Sequence, residues 1–314
     1  VKKALLIFNE KAGQKNDGLL EQITSLLGDN VTVIHLEDIS DMKEIPLRAR
    51  EAGVDYVAVA GGDGTIGAVA SALVGTDIPL GVIPVGTFNN FAKSLHVPLD
   101  PEAACGVILN GAARPVDVGM VNGKPFFEAL GAGMDAALFP MGEEIKGGGI
   151  MKWLSLFHLA LRYPRHHFRL TLDRPVIDAF SHSTSRESRR FARKYLRHKG
   201  VELLIPAFMV IVSNGPYFGM NFALAPQERM DDGLFTISIL TRFNKFRLWW
   251  HFFSIAQGHR QYSPMMLALR VSSLKLTARH KLPVHLDGTP TDLWPLEISC
   301  NRGALHVFRN SPAT

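Results

Sequence analysis

The feature that most constrains this chain is an apolar run that ends in a glycine turn and continues as a helix. Tyr56–Ala60 reads as a buried strand, Gly61-Gly62-Asp63-Gly64-Thr65 as the turn and Thr65–Val74 as the helix. A strand that passes directly into a helix belongs to a βα unit, and βα units stack into a parallel sheet. The first third of the chain repeats this rhythm. Ala4–Phe8, Val31–Leu36 and Leu80–Ile83 have strand patterning, while Leu19–Leu27, Met42–Ala52 and Phe88–Leu95 have helical spacing. The expectation is an α/β N-terminal domain with a parallel sheet. Ligands of such sheets bind beyond the carboxyl ends of the strands.

After about Asp117 the texture changes. Strand candidates follow in series at Arg114–Val118, Pro125–Leu130, Phe168–Leu172, Leu203–Val212, Leu234–Leu240, Leu269–Thr277, Val284–Leu286, Leu296–Cys300 and Ala304–Phe308. Two helical stretches interrupt them, Met151–Arg162 and Phe243–Gln257. This predicts a second, mostly antiparallel β-rich domain. The expected division is 1–118 and 119–300, with a basic insertion at 181–200 in the second domain and the segment from about 301 to 314 a candidate to return to the first.

The glycine turn carries chemistry. Three glycines around one acid let the backbone approach an anion, and the following helix presents N–H groups and a partial positive charge. Asp63 does not favour phosphate by itself; it makes sense as a ligand to a phosphate-bound Mg²⁺, or alternatively as a helix cap. The Gly-Lys-Ser/Thr ending of a Walker A loop is absent. Two more polar loops leave strands of the same domain, at Phe8-Asn9-Glu10-Lys11-Ala12-Gly13 and at Ile83-Pro84-Val85-Gly86-Thr87-Phe88-Asn89-Asn90-Phe91. In the second, Thr87 can cap the next helix and offer its hydroxyl to phosphate. Three such loops at the carboxyl ends of three strands converge on one edge of the sheet.

These strings, together with Val116-Asp117-Val118-Gly119, Gly131-Ala132-Gly133-Met134-Asp135-Ala136, Ser213-Asn214-Gly215-Pro216-Tyr217-Phe218-Gly219, Asp232-Gly233-Leu234 and Asp287-Gly288, resemble the diacylglycerol kinase catalytic-domain family over nearly the whole chain. That family includes sphingosine kinases, ceramide kinase and bacterial lipid kinases. The resemblance implies a C-terminal β-sandwich, an active site in the cleft between the two domains, and phosphoryl transfer from ATP to a lipid hydroxyl. It further implies that Asn9, Gly61, Gly62, Asp63, Gly64, Thr65, Ile66, Gly67, Gly86, Thr87 and Asn89 line the ATP site. A structural Mg²⁺ is expected at the Asp232 carboxylate and the backbone oxygens of Arg229 and Leu234, with Asp63 and Asp287 as the catalytic acids. An NAD kinase-like enzyme is a lesser alternative, because the Gly-Gly-Asp-Gly string also occurs there.

The departures from the family pattern are specific. Asn90 stands where Asp is common, Glu10 where Pro is usual and Gly67 where Asn is common. Many bacterial relatives end the Asp-Gly turn with a Glu that is the expected general base, whereas this chain has Thr289. Threonine does not accept a proton near neutral pH. A catalytically weak or inactive ATP- and lipid-binding regulatory protein is therefore the alternative reading.

Charge bears on partners. Of a total of +5, the stretch 181–200 holds Arg186, Arg189, Arg190, Arg193, Lys194, Arg197 and Lys199 against the single acid Glu187, a local +6. This predicts docking on anionic lipid headgroups, with a solvated loop as the plain alternative. No nucleic-acid motif accompanies the charge. His158, His166, His167, His251, His259 and His285 lack metal-cluster spacing and read as structural, and Trp249, Trp250, Phe252 and Phe253 read as core packing. Two cysteines, Cys105 and Cys300, suit a reducing compartment, and Val1–Glu10 shows no cleavage-site pattern. The expected location is cytoplasmic, peripheral at the inner face of the membrane. The oligomeric state is open, a homodimer being one option.

Overall fold

The computed structural model describes residues 2–12, 18–138, 158–159, 161–173, 201–219, 222–223, 229–241 and 266–310 of the chain. These fall into two compact units, 1–118 with 230–233 and 301–314, and 119–229 with 234–300. The β-rich stretch expected as one domain thus yields Met230–Gly233 to the first unit. The reason is a carboxylate: both oxygens of the nearly buried Asp117 are spent, accepting the Gly233 N–H on one side and the Gly303 N–H on the other.

The first unit holds β1 (Ala4–Phe8), α1 (Leu19–Leu27), β2 (Val31–His35), α2 (Ile45–Glu51), β3 (Tyr56–Gly61), α3 (Asp63–Leu73), β4 (Leu80–Pro84), α4 (Asn90–Ser94) and α5 (Pro101–Asn110). Its strands are parallel in the order β2-β1-β3-β4. Helix-flanked central strands must be apolar on both faces, and β1, β3 and β4 are buried at every position. Edge strand β2 is only half-buried. Tyr56 and Phe308 pack edge-on in the core, centroids 5.4 Å apart. Helix α5 was not foreseen, although its start is written in Asp100-Pro101: the Asp100 carboxylate accepts the Ala103 N–H at 2.9 Å, and proline occupies the first turn.

The chain then runs through β5 (Ala112–Val121), β6 (Lys124–Phe126), β7 (Ala129–Gly133), β8 (His166–Leu172), β9 (Val201–Ala207), β10 (Met209–Ser213), β11 (Tyr217–Phe218), β12 (Phe222–Ala223), β13 (Phe235–Leu240), β14 (Met266–Val271), β15 (Ser273–Ala278), β16 (Val284–Leu286), β17 (Thr289–Thr291) and β18 (Leu296–Arg309). The second unit is the expected antiparallel sandwich. One sheet has the order β14-β13-β10-β7-β16-β17, and β9, β8, β15 and the first part of β18 form the other. Phe168, Leu170 and Leu172 of β8 point inward while Arg169 and Thr171 face out. Each such buried side chain contributes about 1.5–3 kcal/mol.

Two expected strands are in fact pairs. Leu203–Val212 breaks at Phe208, so β9 serves one sheet and β10 the other, and Leu269–Thr277 breaks at Ser272 into β14 and β15. Conversely, the two strands expected after Leu296 are one, β18, with Gly303 at φ 58° inside it. The helix expected at Met151–Arg162 is described only at its end, where His158, Leu159, Leu161 and Arg162 are helical. The helix expected at Phe243–Gln257, with its tryptophans, and the basic stretch 181–200 lie outside the described residues. Among the described residues no helix is long and apolar enough to cross a membrane.

Candidate active site

In the first unit, β1, β3 and β4 are neighbours, so their carboxyl-end loops lie side by side. Hydrogen bonds tie them together. Asn9 Nδ2 donates to Thr65 Oγ1 at 2.7 Å, and the Val85 N–H donates to the Gly61 carbonyl at 3.0 Å. Gly62 and Gly86 meet backbone to backbone: a Cβ on Gly86 would sit 2.5 Å from Gly62 Cα and 2.9 Å from Asn89 Oδ1. Only glycine fits there.

The predicted nucleotide residues take distinct places. Gly62 precedes α3 with no side-chain cap, so the first-turn N–H groups of α3 lack intrahelical acceptors. Thr65 accepts from Asn9, which leaves its own hydroxyl hydrogen for an anion. Gly64 is exposed and Gly67 half-buried, the latter accepting from Ser71 Oγ through its carbonyl. Gly86 and Asn89 bond each other, Gly86 N–H to Oδ1 and Nδ2 to the Gly86 carbonyl, both at 2.9 Å, with Asn89 at φ 52°. They shape the loop. Ile66 is fully buried in the core and turns no side chain outward.

Two expectations need correction. Thr87 does not cap α4; it is exposed, and Asn89 precedes the helix. The cap comes from Asp63, whose Oδ1 accepts the Phe91 N–H at 3.2 Å. Burial raises the Asp63 pKa, opposed by the N–H groups of Phe91, Asn89 and Asn90 and by the Lys93 charge. Asp63 thus ties the glycine turn to α4, a structural duty the metal-ligand reading did not include.

Beside Asn9 a cavity of about 260 Å³ opens at the carboxyl ends of β1 and β2, lined by Phe8, Asn9, Glu10, Lys11, His35, Leu36 and Glu37. Glu10 Oε1 lies 3.0 Å from His35 Nδ1. The sequence reading missed His35; its place at the carboxyl end of a strand was the available signal.

In the second unit the Asp-Gly string is a two-residue hairpin turn between β16 and β17, with Asp287 at φ 46° and Gly288 at φ 84°. Both positive values mark a type I′ turn, which favours Asp-Gly. The Asp287 carboxylate accepts three backbone N–H groups: Phe127 at 2.8 Å, Glu128 at 2.8 Å and Ala129 at 3.0 Å. Burial raises its pKa against the pull of those donors and of His285. A carboxylate so committed is a clasp and not an open base, contrary to the catalytic role expected of Asp287. Asn214 joins the same segment, donating through Nδ2 to the Phe127 carbonyl at 3.2 Å. Thr289 is exposed.

The structure brings His285, read from the sequence as structural, against Asp135 of the Gly131–Ala136 string. His285, fully buried, lies with Nε2 2.7 Å from Asp135 Oδ2, and the Phe218 ring stacks on it at 5.1 Å. Three motif strings of the second unit meet here. Period and spacing held no sign of it, because the contact spans 150 residues.

The predicted structural Mg²⁺ turn is divided by the chain crossings, Asp232 belonging to the first unit and Arg229 and Leu234 to the second. In the first unit Arg302 already brings a positive charge to it, donating to the Asp232 carbonyl at 2.7 Å and lying against Gly233 Cα. The expected ligand atoms, the Asp232 carboxylate and the Arg229 and Leu234 carbonyls, are not the atom that Arg302 engages.

Comparison with known proteins adds independent findings. Residues 3–121 match the model of the diacylglycerol kinase catalytic domain, and residues 179–309 match that of the YegS C-terminal NAD kinase beta sandwich-like domain. A Pseudomonas aeruginosa protein named "Probable lipid kinase YegS-like" is 28% identical over 311 residues, covering 98% of this chain and 93% of its own. A Bacillus subtilis diacylglycerol kinase is 29% identical over 272 residues, covering 82% and 80%. The crystal structure of a diacylglycerol kinase from Bacillus anthracis superposes with a TM-score of 0.70 at 21% identity, covering 98% of this chain and 97% of its own, a likeness of fold.

Proposed function

Because the chain belongs to the diacylglycerol kinase catalytic-domain family, we propose that it is a lipid kinase that transfers the γ-phosphoryl group of ATP to a lipid hydroxyl at a membrane surface. The observation that carries this reading is the glycine cradle of the first unit: Gly62 against Gly86, beside the uncapped start of α3 and the Thr65 hydroxyl. Backbone N–H groups at a helix start suit a polyphosphate. The cavity beside Asn9, with its Phe8 and Leu36 walls, suits the nucleobase end of the same ligand. Mg²⁺ enters with ATP and neutralises charge on the transferring phosphate. The protein's share is then positioning, which accounts for the number of hydrogen bonds that hold the three loops. The local +6 at 181–200 supports docking on anionic lipid at the inner face of the membrane.

The test is phosphoryl transfer from radiolabelled ATP to diacylglycerol, a sphingoid base and other lipid alcohols in mixed micelles, with NAD as a control acceptor. A labelled lipid is the expected product. Label on NAD alone, or on nothing, overturns the reading. One observation favours a second reading, an ATP- and lipid-binding protein with little turnover: Asp287 is spent on three N–H groups and Thr289 is no base. Nucleotide and lipid binding without transfer in the same assay would select it.

A further inference from the structure

We propose that Asp135 is the carboxylate that binds the acceptor hydroxyl, and that His285 is its positioning residue. The inference rests on the lipid-kinase reading above and supplies the polar group that Thr289 does not. Asp135 stands in the helical turn at 134–138, directly after β7. Its side chain is 18% exposed, whereas that of His285 is 0% exposed. Among the described residues, His285 is the one partner of the Asp135 carboxylate, through Oδ2. The second oxygen is left to an incoming donor, and a lipid alcohol is such a donor.

The tautomer follows from the neighbours. The Gly288 N–H lies 3.3 Å from His285 Nδ1, so that nitrogen is the acceptor and the proton rides on Nε2, aimed at Asp135. The ring is held on several sides. Phe218 stacks on it with planes 6° apart. Gly131, its register partner on β7, faces both His285 Nε2 and Asp135 Oδ2, and any Cβ there would strike them. A buried imidazole without solvent access cannot itself meet a substrate. It can hold a carboxylate at a set angle, as outer-shell partners do.

In the transfer, the acceptor oxygen bonds the γ-phosphorus, the bond from that phosphorus to the bridging oxygen breaks, and its electron pair leaves with ADP. The hydroxyl proton passes to the free oxygen of Asp135 and then to water. Among the described residues, the titratable groups about this pair are Asp287 at the β16–β17 turn, which His285 draws toward its charged form, Glu128, buried just before β7 and donating its N–H to Asp287, and Tyr217 beside Phe218; β7 and β10 themselves bring none.

The test uses the full chain with a short-chain diacylglycerol and a sphingoid base as acceptors. Asp135→Asn is expected to lower transfer about 100-fold and to weaken equilibrium binding of the acceptor without ATP, while KM for ATP stays put. His285→Leu should lower kcat/KM for the acceptor while KM for ATP stays unchanged, because the carboxylate loses the N–H that sets its angle. His285→Gln keeps an N–H near Nε2 and should restore much of it. A thermal midpoint for each variant separates loss of fold from loss of alignment. The proposal is overturned if Asp135→Asn binds and phosphorylates acceptor like the parent. It also falls if Leu and Gln at 285 behave alike. A parent that binds acceptor but transfers nothing sinks the kinase reading alone; the binding arm then decides Asp135. A parent that neither binds nor phosphorylates either acceptor sinks both.

Discussion

The Asp63 carboxylate accepts the Phe91 N–H, so Asp63→Ala strips the cap from α4 as well as any charge from the phosphate site. The expected cost is about 0.5–2 kcal/mol of stability, and a loss of transfer in that variant is ambiguous. Asp63→Asn is the cleaner change, since its amide oxygen still accepts the N–H. Burial raises the Asp63 pKa above the ordinary 3.8. The folded chain therefore binds the proton more tightly than the unfolded chain. The stability this contributes is fully present below pH 3.8 and is lost as pH rises through the folded value. Urea unfolding of parent and Asp63→Asn across pH 4 to 7 should show the variant gaining on the parent as pH rises, and transfer by the variant should collapse if the charge takes part in catalysis. A parallel slope for both proteins would remove Asp63 from the pH account. Asp287 permits a sharper statement. Its removal strands three buried N–H groups, so Asp287→Ala should destabilise by on the order of 3 kcal/mol or more. Denaturant midpoints measure this; a stable but inactive Asp287→Ala protein would instead restore the catalytic role.

At the scale of elements, α5 shows what a cap contributes. Asp100→Ala should cost about 1 kcal/mol through the lost bond to the Ala103 N–H, with transfer unchanged, because α5 contributes nothing to the glycine loops. Equilibrium unfolding beside the transfer assay checks both halves. The strand pairs teach a different lesson. β9–β10 and β14–β15 each read as one apolar run, because a strand buried against a sandwich core keeps its pattern when the chain changes sheets at Phe208 or Ser272. The turn between β16 and β17 was legible as a turn from Asp-Gly alone. Its role as a clasp was not, since the N–H groups it holds belong to residues 158 to 160 positions away.

For the whole molecule, charge and metal yield separable expectations. The stretch 181–200 carries +6 in a chain otherwise near neutral. Exposed charge is screened over about 8 Å at physiological salt, so binding to anionic vesicles should fall steeply as salt rises, and neutral vesicles should bind poorly. Deleting the stretch should abolish the salt-sensitive part. Co-sedimentation at low and high salt decides it, and equal binding by both proteins would leave the stretch a solvated loop. With Arg302 at the Asp232-Gly233 turn, the thermal midpoint without nucleotide should be the same in EDTA and in millimolar Mg²⁺; a rise with Mg²⁺ would support the structural metal that the resemblance implies.

What the sequence determined by itself was local: period, turn chemistry and glycine placement. From these came the parallel sheet, the mostly antiparallel second domain, the convergence of the three loops of the first unit and the family resemblance, which in turn implied the sandwich, because each pattern depends on residues within a few positions of one another. The tertiary structure alone decided which carboxylates are spent on backbone N–H groups. Asp63, Asp117 and Asp287 look alike in a string of letters, as does Asp135. Asp117 and Asp287 are committed at both oxygens to segments far along the chain, Asp63 caps α4, and Asp135, among the described residues, meets only a buried histidine through one oxygen. A hydrogen bond depends on distance in space, and spacing along the chain does not encode that distance once the contact spans more than one element.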